Sequence, residues 1–171
     1  QTPLNRYDGT YWQDDVPICD HQNIKGHAVR AAYLLSGATD VAAETRDPML
    51  LKMLNRVWRN TTQKNMYLTG GIGPSSHNEG FTEDYDLPNL SAYQETCASV
   101  ALAQWNHRLA LLYADSRFAD VVERSLYNGV LVVPLVGRVD TVRAQALTES
   151  LLEAIAREQA EIVLLDITGV A

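Results

Sequence analysis

The sequence predicts a mainly α-helical protein that ends in a β-strand, an α-helix and a second β-strand. Two observations carry this prediction. From about residue 24 to residue 127, apolar residues recur with the period of helical faces and are interrupted by one long polar loop. From residue 130 onward, two runs of β-branched and apolar residues flank a single amphipathic segment, which is the pattern of a βαβ unit.

Four helical segments are expected in the first part of the chain. The residues before them show no sustained period, so we expect a loop with local turns there. Apolar stripes then predict helices over about 24–44 and 48–62, with Pro48 as the first residue of the second helix. Residues 98–114 are apolar almost all round and predict a buried helix. Ser116 is expected to cap the fourth helix.

The loop between the second and third helices covers residues 67–90 and is rich in Gly, Ser, Asn, Asp and Pro. A connection longer than about 15 residues without regular structure is uncommon in a compact domain. Long ordered loops usually carry function. This segment is therefore the first place to look for a site.

The C-terminal segment predicts a strand over 130–136, a helix over 142–158 and a strand over 162–167. Both strands are apolar throughout, which is typical of strands that are covered on both faces of a sheet. One βαβ unit cannot cover both faces of its own strands, so we expect a partner or further sequence to supply the remaining strands and helices. We divide the chain into residues 1–130 and 131–171 on this basis.

Charge and composition restrict the classes of function. The 171 residues, 46% of them hydrophobic, are enough for one core. The net charge of -7, with acidic and basic residues interspersed, argues against nucleic acid and anionic membrane surfaces as partners, and no apolar run is long enough for a membrane span. Cys19 and Cys97 form no disulfide framework, which fits the reducing, cytoplasmic compartment that we expect. Because the chain begins at Gln1 without an initiator methionine, we expect a fragment or a processed product.

Glu79, Glu95 and Cys97 are the candidate functional residues, because they place two carboxylates and a thiol in one short stretch. Carboxylates transfer protons in hydrolysis, and carboxylates and thiolates both bind zinc. In an extended segment, residues i and i+2 face the same side, so Glu95 and Cys97 can bind one metal if the next helix begins after them. The alternative is structural, with Cys97 as a small buried residue that opens an apolar helix and Glu95 as a first-turn acid.

Residues 20–131 resemble glycoside hydrolase family 127, the zinc-dependent β-L-arabinofuranosidases, in the motifs GHAVRAAYL, MYLTGGIG, FTEDYDLPN, AYQETCAS and SRFADVVERSLYNGVL. The resemblance implies part of an (α/α)6 barrel and a retaining mechanism, in which a cysteine attacks the anomeric carbon and a glutamate acts as acid and then as base. By motif position, Glu79 resembles that glutamate, and Glu95 and Cys97 resemble two of the zinc ligands. His27 resembles a histidine that contacts the substrate, an arabinofuranoside-type sugar.

The sequence also departs from the family pattern. In the family, the remaining two zinc ligands are a downstream pair of cysteines, one of which is the nucleophile, and no cysteine follows Cys97 here. The helices expected in this chain are too few for a whole barrel. We therefore expect that the isolated chain does not hydrolyse β-L-arabinofuranosides. Its helices would also expose faces that favour homo-oligomers.

For some residues an ordinary structural role competes with a functional one. His27 is explained as well by a buried, hydrogen-bonded histidine at a helix start as by a contact with sugar. His77 could line the same loop or belong to a turn with its small polar neighbours. Trp58, Trp105 and Tyr33 are expected in helix packing rather than as sugar platforms.

Residues 129–171 resemble the first half of a STAS domain of the stressosome and anti-sigma-factor antagonist kind, in the run GVLVVPLVGRVDTVRAQALTESLLEAIAREQAEIVLLDITGVA. The resemblance implies that the residue phosphorylated in such domains lies beyond DITGV. The four-residue sequence NGVL at 128–131 fits both families. We infer a chimera, and the alternative is a natural fusion in which the tail docks on a STAS-like protein partner by completing a sheet.

Overall fold

The computed structural model describes residues 8–126, 130–137 and 162–170. Within these residues, a short 3-10 turn at Ile18–Asp20 precedes four α-helices and two β-strands. The elements are α1 (Ala28–Thr45), α2 (Pro48–Lys64), α3 (Thr96–Tyr113), α4 (Ser116–Leu126), β1 (Val130–Gly137) and β2 (Ile162–Val170). The prediction of a mainly helical chain is confirmed, and the four helices lie close to their predicted positions.

The helix boundaries follow from local capping. Asp47 caps α2 because its carboxylate accepts a hydrogen bond from the N–H of Met49, 2.8 Å away. Pro48 occupies the first helical position as predicted, where its missing N–H costs nothing. Helices α1 and α3 end before Arg46 and Ala114, which both adopt the left-handed conformation that commonly terminates a helix.

The predicted cap of α4 is wrong by one residue. Ser116 is already the first residue of the helix, and the Asp115 carboxylate accepts a hydrogen bond from the N–H of Arg117 at 3.0 Å. Both Ser and Asp are good capping residues, but only Asp adds a negative charge at the positive end of the helix dipole.

Helix α3 lies at the centre of the core and packs against both α1 and α4. Trp105 is fully buried, and its indole N–H donates to the hydroxyl of Thr39 on α1 at 3.1 Å. Trp58 of α2 donates to the side-chain oxygen of Asn106 on α3 at 2.7 Å. Both tryptophans therefore join helices, as predicted. Tyr33 is 48% exposed, so its predicted packing role is wrong.

All four described helices present at least one large apolar side chain to solvent. Val41 of α1, Met49 of α2, Leu111 of α3 and Leu126 of α4 are 53%, 57%, 74% and 41% exposed. Single exposed apolar residues are ordinary on protein surfaces. Their presence on successive helices nevertheless agrees with the expectation that some helix faces are uncovered in this chain.

The long loop between α2 and α3 is fastened to the end of α2 through Asp84. Its carboxylate accepts hydrogen bonds from the side chains of Asn60 at 2.9 Å, Lys64 at 2.8 Å and Asn65 at 3.0 Å. These contacts use both carboxylate oxygens, and Lys64 adds an ion pair. The loop is thus ordered without regular structure of its own.

Strands β1 and β2 pair in parallel, from Val130 opposite Ile162 to Gly137 opposite Val170. Both predicted strands are present, and β2 continues beyond its predicted end. The helix predicted over 142–158 lies outside the described residues. None of the described helices is both long enough and apolar enough to cross a membrane.

Candidate functional site

His27 sits immediately before α1 and acts as its N-cap. Its backbone is extended, and its Nδ1 accepts a hydrogen bond from the N–H of Val29 at 3.2 Å. The first N–H groups of a helix have no partner within the helix, so a side-chain acceptor here stabilises the helix start. The imidazole is consequently held at one end of α1, with Nε2 turned away from the helix backbone.

The loop that bears Glu79 is attached to the same helix start. Gly80 forms an antiparallel bridge with His27, and the N–H of Ala28 donates to the carbonyl oxygen of Glu79 at 3.1 Å. A Cβ atom at Gly80 would lie 1.9 Å from the carbonyl oxygen of Gly26, so only glycine fits there. Glu79 itself has a φ of 51°, a left-handed conformation that residues with side chains adopt rarely.

The side chains of His27, Glu79 and Tyr11 converge. Nε2 of His27 lies 3.4 Å from Oε2 of Glu79, and the phenol of Tyr11 donates to the same oxygen at 3.3 Å. The rings of Tyr11 and His27 meet edge to face with their centroids 5.3 Å apart. The Glu79 side chain is 46% exposed and that of His27 only 13%. The result is a carboxyl group that two polar side chains hold and that a ligand can reach from solvent.

Tyr11 is a member of this cluster that the sequence did not suggest. It lies 68 positions from Glu79, in a segment predicted only as a loop, so no local pattern links the two residues. Burial and the Glu79 carboxylate raise the pKa of Tyr11, whereas Arg30 acts to lower it. The guanidinium of Arg30 lies 5.1 Å from the centre of the Tyr11 ring and 3.9 Å from that of Trp12. An arginine of α1 thus fixes the aromatic pair beside the carboxyl group.

The segment before α3 is fastened to the loop that leads to Glu79. The N–H of Gln94 donates to the carbonyl oxygen of Gly73 at 3.0 Å. Burial and the Glu79 carboxylate are the main causes of the raised pKa of Tyr11, and the carboxylate of Glu95 raises this pKa by a smaller amount. Glu95 is therefore near enough to the cluster to act on it electrostatically.

Glu95 and Cys97 stand on either side of the start of α3. Glu95 occupies the N-cap position, and its side chain does not cap the helix. Helix α3 begins at Thr96, so it starts between the two residues and not after both. Cys97 is exposed, which makes the alternative of a small buried residue wrong. In the part of the chain that the structure describes, no group of three or more His, Cys, Asp or Glu residues is arranged to hold a metal ion.

The donor set at the start of α3 fits part of a zinc site. Carboxylate oxygen and thiolate sulfur are both ordinary zinc ligands. Structural zinc takes four protein ligands and catalytic zinc takes three. Glu95 and Cys97 match two such ligands by residue type, but α3 begins between them, so the condition that the helix starts after both residues is not met. Any further ligands have to come from elsewhere.

His77 does not join the cluster. It is exposed, and its backbone N–H donates to the hydroxyl oxygen of Ser75 at 3.2 Å. Such a side-chain contact two residues back is typical of a turn. The structure thus favours the turn interpretation for this histidine.

A separate cavity of about 580 Å³ lies against α2. It is lined by lysine, arginine, asparagine and glutamine side chains, among them Arg56, and by none of the residues of the Glu79 cluster. Its lining contains no carboxylate, so this cavity lacks the carboxyl pair that glycoside hydrolysis uses.

Comparison with known proteins places most of the chain in one family. A sequence model of the GH127 catalytic domain of β-L-arabinofuranosidases matches residues 3–133. A non-reducing end β-L-arabinofuranosidase of Bifidobacterium longum subsp. longum is 42% identical over 126 residues, which are 74% of this chain and 19% of that protein. The crystal structure of a GH127 β-L-arabinofuranosidase from Geobacillus stearothermophilus T6 aligns with a TM-score of 0.70 at 44% identity, over 75% of this chain and 20% of that one.

A second similarity is shorter. The RsbT co-antagonist protein RsbRA of Bacillus subtilis is 42% identical over 45 residues, which are 26% of this chain and 16% of that protein. The chain thus spans about a fifth of the length of its arabinofuranosidase relatives and a smaller share of RsbRA. Since the family match covers most of the sequence, the chain belongs to the GH127 β-L-arabinofuranosidase family and contains part of its catalytic domain.

Proposed function

We propose that residues 1–130 are the acid/base part of a retaining β-L-arabinofuranosidase site, and that α1–α4 belong to an (α/α)6 barrel. The convergence of Tyr11 and His27 on the carboxyl group of Glu79 carries this proposal. A strained left-handed backbone at Glu79 supports it. Away from helix ends such a conformation costs on the order of 1 kcal/mol, so the surrounding structure has to hold it, and it is often found at functional sites.

In the proposed chemistry, Glu79 transfers one proton in each of two steps. As an acid it gives a proton to the glycosidic oxygen that departs from the anomeric carbon. As a carboxylate it then removes a proton from the water that releases the sugar from the nucleophile. The half-exposed position of Glu79 is suited to both steps, because a sugar and then a water have to reach the same carboxyl group. His27, at its side, is proposed to contact the sugar.

We also propose that Glu95 and Cys97 are two ligands of the family's zinc ion. Zinc would keep the thiol of Cys97 deprotonated and so available as a ligand. The exposure of Cys97 supports this role. No cysteine follows Cys97 in the sequence, so the family's nucleophile is not supplied by this chain. The chain on its own is therefore proposed to bind the sugar weakly and not to hydrolyse it.

Nuclear magnetic resonance with a sugar ligand tests the proposal. Titration of the 15N-labelled chain with methyl β-L-arabinofuranoside should shift the amide signals near Tyr11, His27 and Glu79, and methyl β-D-galactopyranoside is the control. His27→Ala should reduce these shifts. A response that is equal for both sugars would contradict the site. Turnover of an aryl β-L-arabinofuranoside that disappears in Glu79→Gln would contradict the proposed inactivity.

The tail supports a second candidate function, that of a protein-interaction module. Two observations favour it, namely the parallel pairing of β1 with β2 and the similarity of 45 residues to RsbRA. We propose that residues 131–171 are STAS-like and dock on a STAS-like partner, in a chain that is chimeric. A version that ends at residue 130 should lose such binding and keep the response to sugar. Equal binding by the full and shortened chains would contradict this role.

We further propose a reducing, cytoplasmic compartment. Cys19 and Cys97 are not joined in a disulfide, which supports this location. Fractionation of cells that express the chain, with thiol labelling of each fraction, tests it. Recovery of the chain only from an oxidising compartment would contradict it.

A further inference from the structure

The capping role of His27 decides which of its ring nitrogens carries the proton. Nδ1 accepts a hydrogen bond from the N–H of Val29 at 3.2 Å, so it has to present a lone pair. A neutral imidazole has one N–H, which is then on Nε2. Nε2 lies 3.4 Å from Oε2 of Glu79. The start of α1 thus sets the tautomer in which His27 directs a donor at the carboxyl group.

Tyr11 supplies a second donor to the same oxygen, and it is held in place from several sides. Its phenol donates to Oε2 of Glu79 at 3.3 Å. The side-chain amide of Gln13 donates to the carbonyl oxygens of Thr10, at 3.2 Å, and Lys25, at 2.9 Å, which joins the Tyr11 segment to the residues before α1. The position of the phenol is thus fixed by contacts that do not depend on Glu79.

We propose that Tyr11 is a positioning residue whose hydroxyl, beside Nε2 of His27, holds Oε2 of Glu79 as a hydrogen-bond acceptor and leaves Oε1 to carry the transferred proton. The proposal rests on the proposed acid/base role of Glu79. An oxygen that already accepts the Tyr11 hydrogen bond, with Nε2 of His27 3.4 Å away, has less capacity to bind a proton, so the proton of the acid form resides on Oε1. When Oε1 gives that proton to the departing oxygen, the carboxylate charge develops beside the fixed hydroxyl donor of Tyr11 and near the His27 ring.

In the first step the O–H bond at Oε1 breaks and a new O–H bond forms on the departing glycosidic oxygen, while the bond from that oxygen to the anomeric carbon breaks and a nucleophile from outside this chain bonds to the carbon. In the second step Oε1 takes a proton from water, the hydroxide part of that water bonds to the anomeric carbon, and the bond between the carbon and the nucleophile breaks. Tyr11 and His27 keep their own protons throughout, so they orient the carboxyl group and do not exchange a proton with the substrate.

A purely structural role for Tyr11 would rest on its ring alone. The edge-to-face contact with His27 and the stacking with Arg30 both involve the ring and not the hydroxyl. Tyr11→Phe keeps these contacts and removes only the hydrogen bond to Glu79. The pKa of the phenol is therefore the property to measure. Ring packing with His27 alone would not make that pKa depend on the charge of Glu79.

The test is a pH titration of the whole chain with 13C at the hydroxyl-bearing carbon of its tyrosines. Tyr11→Phe identifies the Tyr11 signal among the eight tyrosines. The pKa of Tyr11 is expected above its ordinary value of 10.0, and it should fall in Glu79→Gln. Glu83→Gln, at an exposed neighbouring loop position, is the matched control and should leave the titration unchanged. An identical Tyr11 titration in the parent chain and in Glu79→Gln would overturn the proposal.

A second measurement needs no substitution. In 15N-histidine spectra, neutral His27 should show its proton on Nε2, and a proton on Nδ1 would overturn the arrangement. The outcome also separates this inference from the proposed function. A Tyr11 titration that depends on Glu79 without any response to the arabinofuranoside would leave the positioning intact and reject the sugar site. A sugar response with an unchanged Tyr11 titration would reject the positioning role and leave the sugar site intact.

Discussion

The carbonyl oxygen of Glu79 accepts a hydrogen bond from the N–H of Ala28, 3.1 Å away. The residue proposed to transfer protons is therefore attached through its backbone to the first residue of α1, while its side chain meets the residue that caps that helix. Two attachments at one residue fix both the position and the direction of the carboxyl group. The loop has to approach α1 closely for this, and Gly80 permits the approach.

Gly80→Ala is expected to destabilise the chain by about 1–3 kcal/mol, the usual cost of an extra carbon in a fully packed place. The new Cβ atom would lie 1.9 Å from the carbonyl oxygen of Gly26. Urea unfolding followed by circular dichroism measures the change. Gly37→Ala is the control, because no atom lies within 4 Å of its Cβ position in α1. It should stabilise the chain by roughly 0.5–1 kcal/mol through better helix propensity. Equal unfolding midpoints for the two variants would contradict the close approach.

Asn106→Leu is expected to destabilise the chain by about 1–3 kcal/mol, because it leaves the indole N–H of Trp58 buried without an acceptor. Asn106 is fully buried and accepts that hydrogen bond at 2.7 Å. Leucine has a similar volume, so the lost acceptor rather than a cavity accounts for the cost. Gln104→Leu, at an exposed position of the same helix, should change the unfolding free energy little. An unchanged unfolding free energy in Asn106→Leu would mean that water or another group replaces the asparagine as the acceptor for Trp58.

The attachment of Asp84 to α2 predicts a loss of stability in acid. Hydrogen bonds from Lys64 and Asn65 lower the pKa of Asp84 from 3.8 to about 2. A carboxyl group whose pKa is lower in the folded state stabilises that state above its ordinary pKa, and the contribution disappears as the pH falls from 3.8 towards 2. The difference in unfolding free energy between the parent chain and Asp84→Asn should therefore shrink over this range. Because the Asp84 side chain is 32% exposed, solvent screens its contacts, and we expect the difference in unfolding free energy to be modest.

Urea unfolding at a series of pH values measures this difference. Glu83→Gln, one residue away on the exposed part of the loop, is the control. It shows how much the unfolding free energy changes when a carboxylate is removed at a neighbouring loop position. If the difference between the parent chain and Asp84→Asn stays constant down to pH 2, the contacts to α2 are not formed in solution.

Local patterns were enough to predict α1–α4 and the two described strands, whereas the helix predicted over 142–158 stays a prediction. Pro48 marked the start of α2, and apolar periodicity placed the core face of α3, because these signals depend only on neighbours along the chain. The cap of α4 was assigned to Ser116 instead of Asp115, since both residues suit the position and sequence alone does not rank them. Errors of this kind concern one or two residues at an element's end.

The site could be predicted only in part, for a different reason. Glu79 and His27 stand in recognisable motifs, and the fold brings them together. Tyr11 comes from a segment with no periodic signal, and its contact with Glu79 spans 68 positions. Such a contact depends on how the loop before α1 folds back, which the neighbours of Tyr11 in the sequence do not specify. The arrangement of Glu95 and Cys97 likewise depended on where α3 begins, and that boundary fell between them.

The partial donor set at the start of α3 predicts weak zinc binding by this chain. Two protein ligands leave at least half of a tetrahedral coordination shell to water, so the purified chain should hold much less than one zinc ion after dialysis. Added zinc should bind reversibly and be lost in Cys97→Ser, while Cys19→Ser keeps it, because Cys19 does not join Glu95 and Cys97 in a metal-holding group in the described part of the chain. Mass spectrometry of metal content and a competition assay with a chromogenic chelator measure both quantities.

A full equivalent of zinc that survives dialysis and is unchanged in Cys97→Ser would place the metal elsewhere in the chain. One zinc ion for every two chains, together with zinc-dependent dimers, would mean that two copies combine their Glu95 and Cys97 ligands to complete the shell.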